Sequence, residues 1–352
     1  MAVSPTANSL KNTMGSTPLD VAYAGSRIPI FPNYSDDEYW HEMLTRKITF
    51  TLLAIYSIIF ALGLVGNGLV IFILGFYMKK TVNTIWFLNL TIANFIFTCF
   101  LPLRIAHHAL KLHWPFGKAV CKLNDSIAYL NLYASAYFLA VISVERCASV
   151  RSSAWAQSHR RNWLAWLVAG GIWFLALASS SPRIQFRHAE PSPIDEEVII
   201  CFLSYGRKAK INHHLILISQ YVFAFIVPIS VTIVCHVKID QGQRDGAWSA
   251  KSFKVIKEVT VIFYLCWLPY HILSFFETLY LQTSAVLTAG LPLTTGLAFA
   301  SSCVNPIVYV VVGYDFSARP RPSFLSAFEN VFGEERSDDV AKPETETSSQ
   351  DL

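Results

Sequence analysis

Apolar residues along this chain gather into seven long stretches, at about 48–76, 84–109, 119–145, 162–182, 213–238, 255–280 and 286–312, with short polar connections between them. Each is at least as long as the ~20 residues that cross about 30 Å of hydrocarbon at 1.5 Å per residue. The fourth (WLAWLVAGGIWFLALASS) and fifth (LILISQYVFAFIVPISVTIVC) are the most apolar. The third carries Asn124, Asp125 and Asn131 and is recognised only from its length and its place in the series. Polar groups inside a span face the bundle interior, because facing lipid costs several kcal/mol. Pro102, Pro182, Pro228, Pro269 and Pro306 lie in or near five of the stretches. Such prolines break helices in water but are tolerated where neighbouring helices re-satisfy the freed backbone groups. The pattern predicts an all-α membrane protein, a bundle of seven kinked transmembrane helices.

Charge placement orients the bundle. The connections after spans 1, 3 and 5 hold Lys79 and Lys80, then Arg151, Arg160 and Arg161, then Lys238, Arg244, Lys251 and Lys254. The positive-inside bias puts those connections in the cytoplasm and the N-terminus outside. The connection between spans 4 and 5 is an anomaly, with Arg183, Arg187, Arg207, Lys208 and Lys210 on the outer side. Residues 1–47 contain no apolar run long enough for a cleaved signal peptide, so span 1 is expected to act as an uncleaved signal-anchor. The chain then divides into an extracellular disordered arm (1–47), the bundle (48–312) and a cytoplasmic short helix with a disordered acidic tail (313–352). The tail GEERSDDVAKPETETSSQDL has no aromatic residue and too little apolar surface to fold.

Composition agrees with the spans: 53% of the 352 residues are hydrophobic and 15% charged, against about 25% charged in ordinary soluble domains. The net charge of +4 is spread over loops, which argues against a nucleic-acid partner. No phosphate loop, metal-ligand spacing or nucleophile elbow is present, so neither an enzyme nor a cofactor or metal is expected. His107, His108, His213 and His214 lie near outer span ends, where headgroup contact is the simpler reading. A transporter would need internal repeats or interrupted spans in corresponding positions. Of the Asn-x-Ser/Thr triplets, Asn89 and Asn124 fall within or at the edge of spans, leaving Asn33 as the glycan acceptor. Of seven cysteines, Cys99, Cys235, Cys266 and Cys303 fall within spans and Cys147 on the cytoplasmic side, leaving Cys121 and Cys201 outside. A bridge between those two would tie the span 4–5 connection to the top of span 3; the alternative, two free thiols, is disfavoured by an oxidising exterior.

Several motifs together carry a resemblance: GNGLV (Gly66 to Val70) in span 1, HWPFGKAVCK before span 3, ISVERCASV at the end of span 3, Trp173 in span 4, CWLPYH in span 6 and NPIVY (Asn305 to Tyr309) in span 7. Over about residues 48 to 316 the chain resembles a rhodopsin-like (class A) G-protein-coupled receptor. MKKTVNTIWFLNL, ISVERCASV, AWAQSHR and GLPLTTGLAFASSCVNPIVYVVVGYDF resemble its leukocyte chemoattractant branch, nearest a chemerin-type receptor, with formyl-peptide and chemoattractant-type prostaglandin D2 receptors close by. The resemblance implies a multi-pass plasma-membrane receptor, a heterotrimeric G protein of inhibitory type, arrestin and receptor kinases as partners, and membrane lipid around the bundle.

It also implies roles for particular residues. Glu145 and Arg146 would form the acid-arginine pair that restrains G-protein coupling, with snorkelling at the headgroups as the plainer alternative. Trp267, Pro269, Asn305, Pro306 and Tyr309 would complete the switch, and Asn67 and Asn94 the polar core. Three positions depart from the family pattern. Asn94 stands where an aspartate usually binds sodium, His236 stands where many relatives have a tyrosine, and Pro320 and Pro322 interrupt the usual membrane-lying helix after span 7. These departures permit an atypical, ligand-clearing receptor with weak G-protein output.

For the ligand, the outer pocket would be lined near Asp125, Tyr129, Gln220, Tyr270, Glu277 and Thr295, beneath Arg183, Arg187, Lys208 and Lys210. A basic rim over an aromatic pocket suits a partner presenting a carboxylate, either the end of a peptide or protein agonist or an oxidised fatty acid. The alternative is that these cations pair with Asp195, Glu196 and Glu197 in the same loop. Formyl-peptide and prostaglandin relatives use a basic residue in span 5 where this chain has Gln220, which favours a chemerin-like protein ligand. Tyr34 and Tyr39, beside acids in the arm, are sulfation candidates, and Thr345, Thr347, Ser348 and Ser349 in the tail are phosphorylation candidates.

Overall fold

The seven stretches fold as seven helices long and apolar enough to cross a membrane, Met43–Tyr77, Val82–Ala109, Gly117–Arg151, Asn162–Phe186, Ile211–Gln241, Phe253–Glu277 and Ala289–Gly313. The structure is a computed structural model that describes residues 36–152, 158–193, 195–204, 209–242, 250–279, 285–313 and 324–332. Of the residues singled out above, Asn33, Tyr34, Arg207, Lys208, Arg244, Pro320, Pro322, Thr345, Thr347, Ser348 and Ser349 lie outside these, as do the side chains of Tyr39, Lys210 and Lys251.

The first span is α1 (Asp36–Phe72), extended by a π-helical turn, Ile73–Tyr77. It begins twelve residues before position 48, so 36–47, assigned above to the disordered arm, is helical. The acid-rich sequence DDE that opens it is the composition favoured at the positive end of a helix dipole. Lys80 closes the other end by donating to the Leu74 and Gly75 carbonyls, backbone groups that the π turn leaves without helical partners. The second span, α2 (Val82–Ala109), starts on a capping box in which Thr81 and Thr84 satisfy each other's backbone N–H.

The third span, α3 (Gly117–Arg151), runs past the end of the stretch read from hydropathy, so Arg146 as well as Glu145 is inside the helix. Span 4 is α4 (Asn162–Ser180) with a short α5 (Pro182–Phe186), where Pro182 takes a helix-starting position that needs no N–H donor. Span 5 is α6 (Ala209–Gln220), a π turn over Tyr221–Ile226 and α7 (Val227–Gly242). Spans 6 and 7 are α8 (Ala250–Leu279), with Pro269 inside it, and α9 (Ala285–Gly313), with Pro292 and Pro306 inside it. A further helix, α10 (Phe324–Phe332), follows.

Between spans 4 and 5 a two-stranded antiparallel hairpin, β1 (Arg187–Pro191) and β2 (Ile199–Leu203), pairs Ala189 with Cys201. It is fastened to the turn before α3: Trp114 N donates to the Ile199 carbonyl at 2.8 Å, and Ile199 N donates to His113 Nδ1 at 3.2 Å. Trp114, Cys121, Ala189 and Cys201 form a small buried cluster beneath the hairpin.

The main core runs the length of the bundle, while residues such as Leu265, Ile307 and Val311 point outward on its lipid-facing surface. Interior polar residues cross-link it. Trp173 Nε1 donates to Asn89 Oδ1 at 3.0 Å, joining α4 to α2, and Asn67 Nδ2 donates to the carbonyls of Gly63 and, on α9, Ser302. Asn89 is therefore a buried structural amide, in keeping with its exclusion as a glycan acceptor. Gly66 permits close approach of α1 to α9, where an added Cβ would come within 3.1 Å of Pro306.

Candidate functional site

At the hairpin end, charged and aromatic side chains from five elements meet inside the bundle. Asp125 on α3 accepts from Arg104 Nη2 of α2 at 3.1 Å and lies 3.9 Å from Arg187 Nη2 at the start of β1. Arg183 on α5 is 5% exposed; its guanidinium sits 3.9 Å from the centre of the Tyr129 ring and donates to Gln220 Oε1 at 2.9 Å. Tyr129 and Tyr270 share a hydrogen bond between their hydroxyls at 3.1 Å, joining α3 to α8. Below them Trp267 packs edge-on against Tyr270 and donates from Nε1 to Ser301 of α9 at 3.2 Å. The cations thus stand over an aromatic floor that leads into the bundle core.

Three arginines converge around one carboxylate in a low-dielectric setting, where charge–charge attraction is stronger than in water. Burial pulls the Arg187 guanidinium below its ordinary pKa, while Asp125 beside it acts in the opposite sense. A second anion entering here would meet guanidinium groups already desolvated and held in place.

The structure brings Asp125, Tyr129, Arg183, Arg187, Gln220 and Tyr270 into this single network. Thr295 is outside it, its hydroxyl donating to the Leu291 carbonyl one turn back in α9, and Glu277 is half-buried near the end of span 6. Asp195, Glu196 and Glu197 are exposed in the hairpin turn, whereas Arg187 points to Asp125, so the alternative of loop-internal pairing fails for Arg187. Arg104 was missed from sequence, although a cation inside an otherwise apolar stretch is a recognised sign of a functional position. His107 was given to the headgroups but bonds the Leu112 carbonyl at 3.0 Å and packs edge-on against Trp114.

The expected bridge is formed: Cys121 and Cys201 are disulfide-bonded, tying β2 to the start of α3. Cys99, Cys147, Cys235, Cys266 and Cys303 are free.

At the opposite end, Glu145 holds two arginines. Arg146 Nε is 3.5 Å from Glu145 Oε2, and Arg160 Nε, from the connection after α3, is 2.8 Å from Oε1. Arg160 also donates to Asn83 Oδ1 on α2 at 3.0 Å. The side chains of Glu145 and Arg146 are under a tenth exposed, so they are not snorkelling to headgroups. His236 Nε2 lies 3.3 Å from Ser143 Oγ, a contact between α7 and α3 on the same side of the bundle.

Asn94 and Asn305 are buried between the two ends, and among the described residues Asn94 Nδ2 has no hydrogen-bond partner. With an amide in place of a carboxylate, the donor set does not offset the desolvation of a cation. Asn94→Asp is therefore expected to introduce a sodium-dependent fall in agonist affinity that the parent chain lacks, measured by ligand displacement in sodium and in potassium buffers.

Comparison with known proteins places this geometry. Residues 66–309 match the model of the 7 transmembrane receptor (rhodopsin family). The chain is 38% identical to Chemerin-like receptor 1 of Mus musculus over 307 residues, covering 81% of each chain. It is 37% identical to the C3a anaphylatoxin chemotactic receptor of Oncorhynchus mykiss over 298 residues, 82% of this chain and 81% of the relative. It is also 37% identical to Chemerin-like receptor 2 of Mus musculus over 289 residues, 80% and 81% respectively. With seven membrane-spanning helices and this match over residues 66–309, the chain is a multi-pass plasma-membrane protein and belongs to the rhodopsin family of seven-transmembrane receptors.

Proposed function

We propose that the chain is a chemoattractant receptor for an extracellular peptide or protein ligand of chemerin-like type, that it reads the ligand's C-terminal carboxylate, and that it signals through an inhibitory G protein and arrestin. The observation that carries the ligand class is the convergence of Arg104, Arg183 and Arg187 on Asp125, Gln220 and Tyr129 under the hairpin. The relatives' names, chemerin-like and C3a chemotactic receptors, support a chemoattractant of peptide class. In this reading the arm and hairpin face outward and the Arg146 end faces the cytoplasm. Asn33 then carries a glycan, Tyr34 and Tyr39 are sulfated to meet basic ligand residues, and receptor kinases phosphorylate Thr345, Thr347, Ser348 and Ser349.

Mechanistically, a carboxylate that draws Arg187 or Arg183 from its present partners would disturb the contacts of Asp125, Gln220 and Tyr129. The Tyr129–Tyr270 hydrogen bond and the Tyr270–Trp267 packing link that change to α8, and Trp267 links it to Ser301 on α9. At the far end, Glu145 releases Arg146 when α8 and α9 reposition.

The test is a panel of chemerin-derived peptides, formyl peptides and prostaglandins applied to transfected cells, with cAMP inhibition and arrestin recruitment read separately. Responses in both readouts to the chemerin-derived peptides, and not to the formyl peptides or prostaglandins, are expected. A second reading rests on Asn94, on His236 held to Ser143, and on the double hold of Glu145: a receptor that clears its ligand with little G-protein output. Arrestin recruitment and internalisation without cAMP inhibition would select it.

A further inference from the structure

Helix α10 is nine residues long, too short to persist alone in water, so its stability comes from what it packs against. Ala327, Phe328, Val331 and Phe332 form one stripe at helical spacing, and each is at most 2% exposed. A helix lying on the bilayer surface turns such a stripe to lipid and leaves it uncovered by protein, as Ile307 and Val311 on the outer face of α9 are. Here the stripe is covered by the bundle itself, with α10 against α9 and α8. Phe332 packs against Phe87 of α2 at 4.8 Å and against Tyr309 of α9 at 5.3 Å between ring centres. An added Cβ at Gly313 would collide with the backbone of Ala327 and come within 2.8 Å of Val331, so the glycine sets how closely α10 can dock.

This docking lies at the Arg146 end. Asn83, one turn before Phe87 on α2, is bonded to Arg160, which is bonded in turn to Glu145. Val255, Ile256 and Val259 in the first turns of α8 are buried on the same side of the bundle. The space between the ends of α2, α8 and α9 therefore accepts an amphipathic helix with an aromatic stripe, and this chain fills it with its own.

We propose that α10 is an internal stopper: it occupies, in the resting receptor, the helix-accepting cavity at the Arg146 end and must leave before a transducer can present a helix of its own there. The inhibitory role rests on the G-protein reading above; the placement of α10 does not. If the open form is of order 1–10% populated, freeing α10 raises the competent fraction about ten-fold or more.

The test uses the full chain in lipid nanodiscs. Ala327→Cys, on the buried stripe, and Glu329→Cys, on the exposed face, each added to a chain whose free Cys99, Cys147, Cys235, Cys266 and Cys303 are replaced by Ala, are labelled with a membrane-impermeant maleimide. Agonist-free nucleotide exchange on an inhibitory-class heterotrimer is measured for the parent, for Phe328→Ser with Phe332→Ser, and for Gly313→Val, after thermal melts show that the bundle is intact. Labelling at position 327 about ten-fold slower than at 329, with exchange raised about ten-fold or more in both variants, is the expected result. Equal labelling rates would overturn the placement and leave the receptor reading standing. Slow labelling in the parent, fast labelling once the variant substitutions are added, and no rise in exchange would overturn the stopper role. If parent and variants alike fail to exceed receptor-free discs, that failure traces to coupling itself.

Discussion

Cys121→Ala and Cys201→Ala are each expected to abolish ligand binding at the cell surface. The bridge closes a separation of 80 residues and is the one covalent tie between the hairpin and α3. Arg187, which helps hold Asp125, is the first residue of β1, and its Nε lies 3.4 Å from Cys201 Sγ. Without the tie the hairpin keeps one backbone hydrogen bond, from Trp114 N to the Ile199 carbonyl, and one from Ile199 N to the His113 ring, and loses a constraint of about 2–4 kcal/mol. The measurement is saturation binding on cells sorted for equal surface receptor. Affinity unchanged in both variants would show that the hairpin holds its place without the disulfide.

Arg146→Ala is expected to remove G-protein activation and leave ligand affinity unaltered. Arg146 is 21 residues along α3 from Asp125, about 30 Å at 1.5 Å per residue, beyond reach of a ligand in the pocket. Removing one partner of a buried pair ordinarily costs about 3–5 kcal/mol because the other charge is stranded. Here Arg160 remains 2.8 Å from Glu145, so the variant keeps that carboxylate paired and its fold intact. Arg160→Ala, by contrast, loosens both the hold on Glu145 and the bond to Asn83 and is expected to raise basal activity. Nucleotide exchange at matched surface expression reads both. Equal output from Arg146→Ala and the parent would reduce the pair to a structural contact and favour the ligand-clearing reading.

The helices and the covalent tie were legible because their signals are local. Apolar run length located all seven spans, including α3 with Asn124, Asp125 and Asn131 inside it, and each proline predicted within a span sits in or at the start of a helix. Partner choice was not legible, because it depends on which distant side chains the bundle brings within reach. Arg104 was not singled out at all, yet it takes Asp125 across the interface of α2 and α3. Arg160 looked like one of several loop cations that orient the protein, yet it is the nearer arginine on Glu145. The segment after span 7 was read as a truncated membrane-lying helix. The helix lies beyond both prolines and faces the bundle, a choice of apolar surface that amphipathic spacing cannot specify.

In the proposed function the guanidinium cluster under the hairpin reads a carboxylate. Its most direct measurement is a double-mutant cycle on binding affinity, with a chemerin-derived peptide as free acid or C-terminal amide against the parent receptor and Arg187→Gln. A charge-assisted hydrogen bond contributes about 1.5–3 kcal/mol, or roughly 10- to 100-fold in affinity. The amide is expected to bind the parent that much more weakly than the acid, Arg187→Gln to lose a similar factor for the acid, and the two losses to coincide rather than add. Acid and amide binding the parent equally, or losses that simply add, would contradict it.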